Sequence, residues 1–153
     1  RLAHDLALLP ASPSSRCALL SGPSRSGRTS LLLQLAYGTA CKGCRVLFIC
    51  QPKSILNPPV LPEGITRSAS AYDNIDMRYL QDDDELRLFF ASFHMITQVP
   101  EAVIVDNFSE FFMARKYQGD RRACDIAQAK TLALMFDATQ HAGTRLDSGE
   151  CKL

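Results

Sequence analysis

The chain reads as an α/β domain in which a mostly parallel sheet is flanked by helices, and three observations predict it. Short apolar runs alternate with longer stretches of helical spacing from residue 16 onward. A glycine loop, Gly22 to Thr29, stands between the first apolar run and the first helical stretch. A further apolar run, Ala102 to Val105, ends in a carboxylate, Asp106. Parallel strands need crossover connections, and helices placed between strands supply them in the right-handed sense.

Residues 1–15 read as an arm and linker. Leu2, Leu6, Leu8 and Leu9 precede a breaker-rich stretch from Pro10 to Ser15. Lying outside the core, those leucines are an interface candidate. The domain proper spans 16–153. Residues 16–21 form a buried parallel strand that meets the glycine loop. A helix follows from Thr29 to about Cys41 and finds its stop at Gly43. Residues 45–50 make the second strand, and 51–68, with Pro52, Pro58, Pro59 and Pro62, a loop. Residues 75–80 form the next strand. Asp82, Asp83 and Asp84 then suit a helix N-terminus, where carboxylates meet the positive end of the macrodipole. That helix is expected to reach about Gln98, burying Leu86, Phe89, Phe90 and Phe93. After Asp106 a polar loop, 114–121, leads into a long helix ending at Gly143. Its expected apolar stripe includes Ile126, Ala129, Ala133 and Phe136.

With 153 residues, 46% of them hydrophobic and 22% charged, the chain has the makings of one domain with a real core. A net charge of +1 removes any global electrostatic argument for a nucleic-acid partner, so such a case must be local. Six cysteines are too few for a disulfide scaffold and point to a reducing, intracellular compartment. No apolar run approaches the roughly 18 residues of a membrane span, and no secretory signal opens the chain. Neither membrane insertion nor secretion is expected. The chain opens on Arg1 and stops at Cys151-Lys152-Leu153, where an apolar strand would be starting. It reads as a piece of a longer protein with C-terminal strands beyond it.

Gly22-Pro-Ser24-Arg25-Ser26-Gly27-Arg28-Thr29 has the spacing of the phosphate-cradling P-loop, with its obligatory lysine replaced by Arg28. Backbone N–H groups of Gly22, Ser24, Arg25, Ser26, Gly27, Arg28 and Thr29 can converge on a phosphate, and the Thr29 hydroxyl is placed to hold Mg²⁺. The helix that the loop launches adds its own pull on an anion. Arginine keeps the charge but swaps a compact ammonium for a wide planar fork, and phosphoryl transfer depends almost wholly on positioning and charge. Pro23 removes one N–H from the cradle. Asp106, at a strand tip, is the second candidate metal and catalytic position. The bland accounts are a glycine-rich turn that binds nothing and an aspartate that caps the next helix.

Arg115, Lys116, Tyr117, Arg121 and Arg122 form the densest basic stretch and include an aromatic ring, a pairing that suits single-stranded nucleic acid. A solvated helix start accounts for the same residues. Cys41 and Cys44 have metal-ligand spacing, yet no second Cys or His pair lies near them in the sequence, which argues against zinc.

From Arg16 onward this order of motifs resembles the RecA-type recombinase core. Val105-Asp106-Asn107 is similar to the Walker B strand of eukaryotic recombinases. Tyr117-Gln118-Gly119 and Arg121, followed by a helix rich in Ala, Leu and Met, resemble the first DNA-binding loop and the helix after it. Asp76 to Leu80, then acidic residues, then Leu86 to Phe90, resemble the recombinase-paralogue branch that joins SWIM-domain proteins in vertebrate Shu complexes. The resemblance implies a RecA-like fold with ATP and Mg²⁺ as cofactors, in a nuclear accessory factor of homologous-recombination repair. The partners it implies are a SWIM-type zinc-finger protein, a strand-exchange recombinase and single-stranded DNA. Recombinases carry an acidic residue after the second strand, where this chain has Cys50-Gln51-Pro52. With Arg28, two catalytic positions are altered, so ATP use is expected to be weak or vestigial. The alternative is a DNA-stimulated ATPase completed in trans by a partner subunit. A small-molecule kinase is disfavoured, since no arginine-rich lid segment is present. Phe111-Phe-Met-Ala114 spells the Phe-x-x-Ala tetrapeptide by which recombinases dock partners, but its place after the Asp106 strand favours burial.

Overall fold

A computed structural model describes residues 17–23, 25–52, 69–113, 117–146 and 149–153. The elements run α1 (Arg28–Ala40), β1 (Val46–Cys50), α2 (Ala69–Tyr72), β2 (Ile75–Tyr79), α3 (Asp83–Ala91), β3 (Ala102–Val105) and α4 (Arg121–Gly143). Short 3₁₀ turns cover Phe93–Met95 and Phe108–Phe112. The arm at 1–15 and most of the proline-bearing loop lie outside the described residues.

The three strands form one parallel sheet in the order β2-β1-β3. β1 pairs Val46 with Ile75 on one side and Val46 with Ala102 on the other. Being central, β1 is buried along its whole length, which is why Val-Leu-Phe-Ile-Cys reads as an unbroken apolar run. Its alternate side chains feed two cores. Leu47 and Ile49 pack with Leu86, Phe90, Phe93 and Met135 beneath α3 and α4, whereas Val46, Phe48 and Cys50 pack with Ala36 and Ala40 of α1. The sheet is thus covered on both faces, an α/β architecture.

Beyond β3 the backbone continues the same pattern in miniature. Lys152 bridges Ala102 in parallel, with Val103 N donating to Lys152 O at 2.7 Å and Lys152 N to Glu101 O at 2.9 Å. Ala18 N in turn donates to Leu153 O at 2.9 Å. The strand expected at 16–21 is reduced to an extended stretch, Cys17 to Ser21, with Leu20 in an isolated bridge.

Two helices depart from the sequence expectation. α3 begins where the aspartates predict, with Asp82 accepting from Asp84 N and Glu85 N, but it ends at Ala91 rather than near Gln98. The Ser92 hydroxyl turns back onto Leu88 O and Phe89 O, and the chain tightens into the 3₁₀ turn that stacks Phe93 on Phe90. α4 presents a different face from the expected one. Ile126 and Phe136 are 46% and 43% exposed, and Ala129 and Ala133 face solvent with them; Ala127, Thr131, Met135, Thr139 and Ala142 are buried instead. Two threonines can line a core because Thr131 Oγ1 donates to Ala127 O and Thr139 Oγ1 to Met135 O, leaving no hydroxyl proton without an acceptor.

Gly143 closes α4 against the last segment. A Cβ there would stand 3.0 Å from Cys151 N and 3.3 Å from Gly149 O, so only glycine lets the two backbones approach.

Candidate functional site

The glycine loop sits between the extended stretch ending at Ser21 and the first turn of α1. Arg25 at φ 62° and Gly27 at φ 84° adopt left-handed backbone, with Ser26 between them. Alternation of this kind turns successive N–H groups toward one concavity. Ser26 N donates to Pro23 O at 3.3 Å, and Gly22 is packed closely enough that a Cβ would stand 3.1 Å from Ser26 Oγ. Ser24 lies outside the described residues.

Two features of the loop fit an anion. Gly27 caps α1 without any side-chain hydrogen bond, and the first helical bond is Leu31 N to Gly27 O, so the N–H groups of the opening turn face out of the helix end. Ser26 Oγ is buried with no hydrogen-bond partner in the protein. A buried hydroxyl left so costs about 1–3 kcal/mol, a penalty that a phosphate oxygen would relieve.

Asp106 follows β3 and is 1% exposed. Its N–H extends the sheet by donating to Ile49 O at 2.9 Å. The Thr29 hydroxyl donates to Asp106 Oδ2 at 2.8 Å, joining residues 77 apart in sequence. Burial pushes the Asp106 carboxyl above its ordinary range; the Thr29 hydroxyl, the Asn107 N–H and the charge of Arg28 act in the opposite direction. Such a group is stabilised by any cation that reaches it. Thr29 and Asp106 therefore pair a hydroxyl and a carboxylate, the hard oxygen donors that suit Mg²⁺.

Arg28 points along the same side. Its Nη2 donates to Asn107 Oδ1 at 3.5 Å, a long contact, and Asn107 itself is left-handed at φ 52° and ψ 46°. In the sequence Asn107 stands only as part of the Walker B resemblance, with no role of its own; the signal for one is an Asn at a sharp strand-to-turn junction, since Asn tolerates this backbone better than most residues. Gln51, the residue after β1, uses its amide as a brace. Its Nε2 donates to Gln81 O at 2.7 Å and to Glu110 O at 3.3 Å, tying the ends of β1 and β2 to the 3₁₀ turn after β3.

Of the five candidate nucleic-acid residues, Tyr117, Arg121 and Arg122 are among those described. Arg115 and Lys116 lie outside the described residues. Arg121 and Arg122 are exposed in the first turn of α4, behind the Asp120 cap. Tyr117 is half-buried, its hydroxyl donating to Asp83 Oδ2 at 2.6 Å and its ring tilted against Phe112 at 6.2 Å. It braces α3 more than it offers a free stacking face. Phe111 is buried, and Ala114 of the same tetrapeptide lies outside the described residues. Cys41 and Cys44 flank the turn after α1 as free thiols. Among the described residues, one trio of carboxylates comes close enough to share an ion: Asp82, Asp83 and Asp84. Asp82 caps α3, and Asp83 and Asp84 both engage Arg87, so this trio is a helix start. No helix among the described residues is long and apolar enough to cross a membrane.

The fold and site together define an α/β domain with a parallel sheet and a glycine loop facing a buried carboxylate. No protein-family model, curated protein or solved structure matches the chain.

Proposed function

We propose that the chain is a RecA-like P-loop domain that binds a nucleoside phosphate with Mg²⁺ and turns it over slowly or not at all. The observation that carries this reading is the 2.8 Å contact between Thr29 Oγ1 and Asp106 Oδ2 at the mouth of a left-handed loop. A turn that binds nothing has no use for a buried Ser26 hydroxyl without a hydrogen-bond partner, in the same loop whose Thr29 engages a buried carboxylate. When bound, Mg²⁺ would offset the negative charge of the phosphate oxygens. The loop N–H groups and Ser26 would hold the phosphates, Thr29 and Asp106 the metal, and Arg28 would supply fixed positive charge.

Slow turnover follows from two positions. Arg28 brings a fork where a compact cation works best, and Gln51 is an amide engaged with two carbonyls where a carboxylate would orient water. The resemblance to recombinase paralogues supplies the setting: an accessory subunit in recombination repair, partnered by a SWIM-type protein and a strand-exchange recombinase. Single-stranded DNA would be met through the exposed Arg121 and Arg122.

Calorimetry with ADP and ATP, with and without Mg²⁺, tests the reading. Binding that strengthens with Mg²⁺ in the parent chain and loses that gain in Thr29→Ala is expected. Absence of binding under any of these conditions refutes it, and phosphate release near one per second or faster refutes the slow-turnover part.

A further inference from the structure

Replacing lysine by arginine in such a loop raises a geometric problem. An ammonium is a point charge that needs only to be near, whereas a guanidinium is a plane whose donors must be aimed. In this protein something aims it. Arg28 Nη2 contacts Asn107 Oδ1 at 3.5 Å across 79 positions of sequence. Asn107 follows Asp106 directly, and its backbone N–H is one of the influences that hold the Asp106 carboxyl down, so one residue bears on both charged groups of the site.

Its backbone serves the same end. At φ 52° and ψ 46° the chain leaves β3 in a left-handed turn, a conformation costly for most residues and tolerated by Asn. That turn brings both the N–H and the amide oxygen of one residue to the mouth of the loop. An extended residue after Asp106 would carry the next side chain to the other face of the sheet.

We infer that Asn107 is a positioning residue for Arg28: its amide oxygen sets the guanidinium plane so that arginine can bind phosphate where lysine would need no such guide. The inference rests on the nucleotide-binding reading above and deepens it by making Arg28 and Asn107 one unit. It separates this site from one in which the loop cation acts alone.

A double-mutant cycle read by calorimetry with MgADP tests it. Asn107→Gly removes the amide and keeps the left-handed backbone available; Asn107→Ala removes the amide and keeps Cβ, serving as a second truncation. In the parent, either change is expected to weaken MgADP binding about tenfold, the loss of one hydrogen bond to a charged group. In an Arg28→Lys background the same truncations are expected to leave affinity unchanged, because an ammonium does not depend on the amide. Equal losses in both backgrounds, or no loss in either, overturn the inference while leaving nucleotide binding intact. A parent chain that fails to bind MgADP overturns both readings at once.

Discussion

Replacing Asp106 by Asn should make the protein more stable at neutral pH and less able to use Mg²⁺. The carboxylate is 1% exposed, and burial is the largest influence on its ionisation, raising its pKa against the opposing pulls of Thr29, Asn107 and Arg28. Asn is close in shape and still accepts the Thr29 hydroxyl, so the substitution removes a buried charge while keeping the 2.8 Å contact. Relief of strain at a functional site typically gains about 0.5–2 kcal/mol, which for a domain of this size raises Tm by about 1–8 °C. The pH dependence carries the sign. Because the folded pKa lies above the unfolded value of about 3.9, the folded state holds this proton more tightly. Its contribution is full below the unfolded pKa and is lost as pH rises through the folded pKa. The gap between Asp106→Asn and the parent should therefore be open at pH 7 and close on acidification through that window. Thermal melts by circular dichroism in Mg²⁺-free buffer, with Tm plotted against pH, measure both effects. An Asp106→Asn protein that melts below the parent at pH 7 would refute the claim that this carboxylate is held at a cost.

Three further outcomes follow from the geometry. Burial, with the charge of Asp106 second, pushes Cys50 up to about 11, and burial followed by Glu101 pushes Cys151 to about 12, while Cys17 and Cys41 are exposed. At pH 8, N-ethylmaleimide followed by mass spectrometry should find Cys17 and Cys41 labelled and Cys50 and Cys151 untouched; native labelling of either buried thiol contradicts the packing around β1 or residues 151–153. Tyr117→Phe keeps the ring but strips a hydrogen bond from Asp83, which is fully buried, so a loss of about 1–3 kcal/mol should appear as a lower Tm with single-strand affinity unchanged. Reversing charge at Arg121 and Arg122 should weaken single-stranded DNA binding and lower the log–log salt slope by about 1–2; an unchanged salt titration removes both residues from the DNA surface.

What could be read from the sequence was whatever announces itself within a few residues. β1 and β3 are apolar runs with polar ends, and the loop's glycines and Thr29 have fixed spacing, so strand, turn and helix fell within a residue or two of their places. The buried face of α4 is not legible from a hydrophobic stripe because threonine counts as polar there, although a helix can satisfy its hydroxyl from the preceding turn. α3 stopped early for a similar reason, a serine whose hydroxyl competes for carbonyls that a longer helix would use. Tyr117 could be placed near basic residues but not under Asp83, 34 positions upstream. The contact between Arg28 and Asn107 is not legible because 79 positions separate them, and no local pattern reports a contact of that span.

The loop and Asp106 follow backbone segments that are linked through a third. Between the stretch Cys17 to Ser21 and β3 lies Cys151 to Leu153, held by Ala18 on one side and by Glu101 and Val103 on the other. Those three residues act as a rung between the two segments that carry the halves of the candidate site. During synthesis, the loop emerges from the ribosome more than a hundred residues before the rung that seats it. A chain synthesised only as far as Asp106 would thus hold the glycine loop and the carboxylate without the backbone that links the segments carrying them.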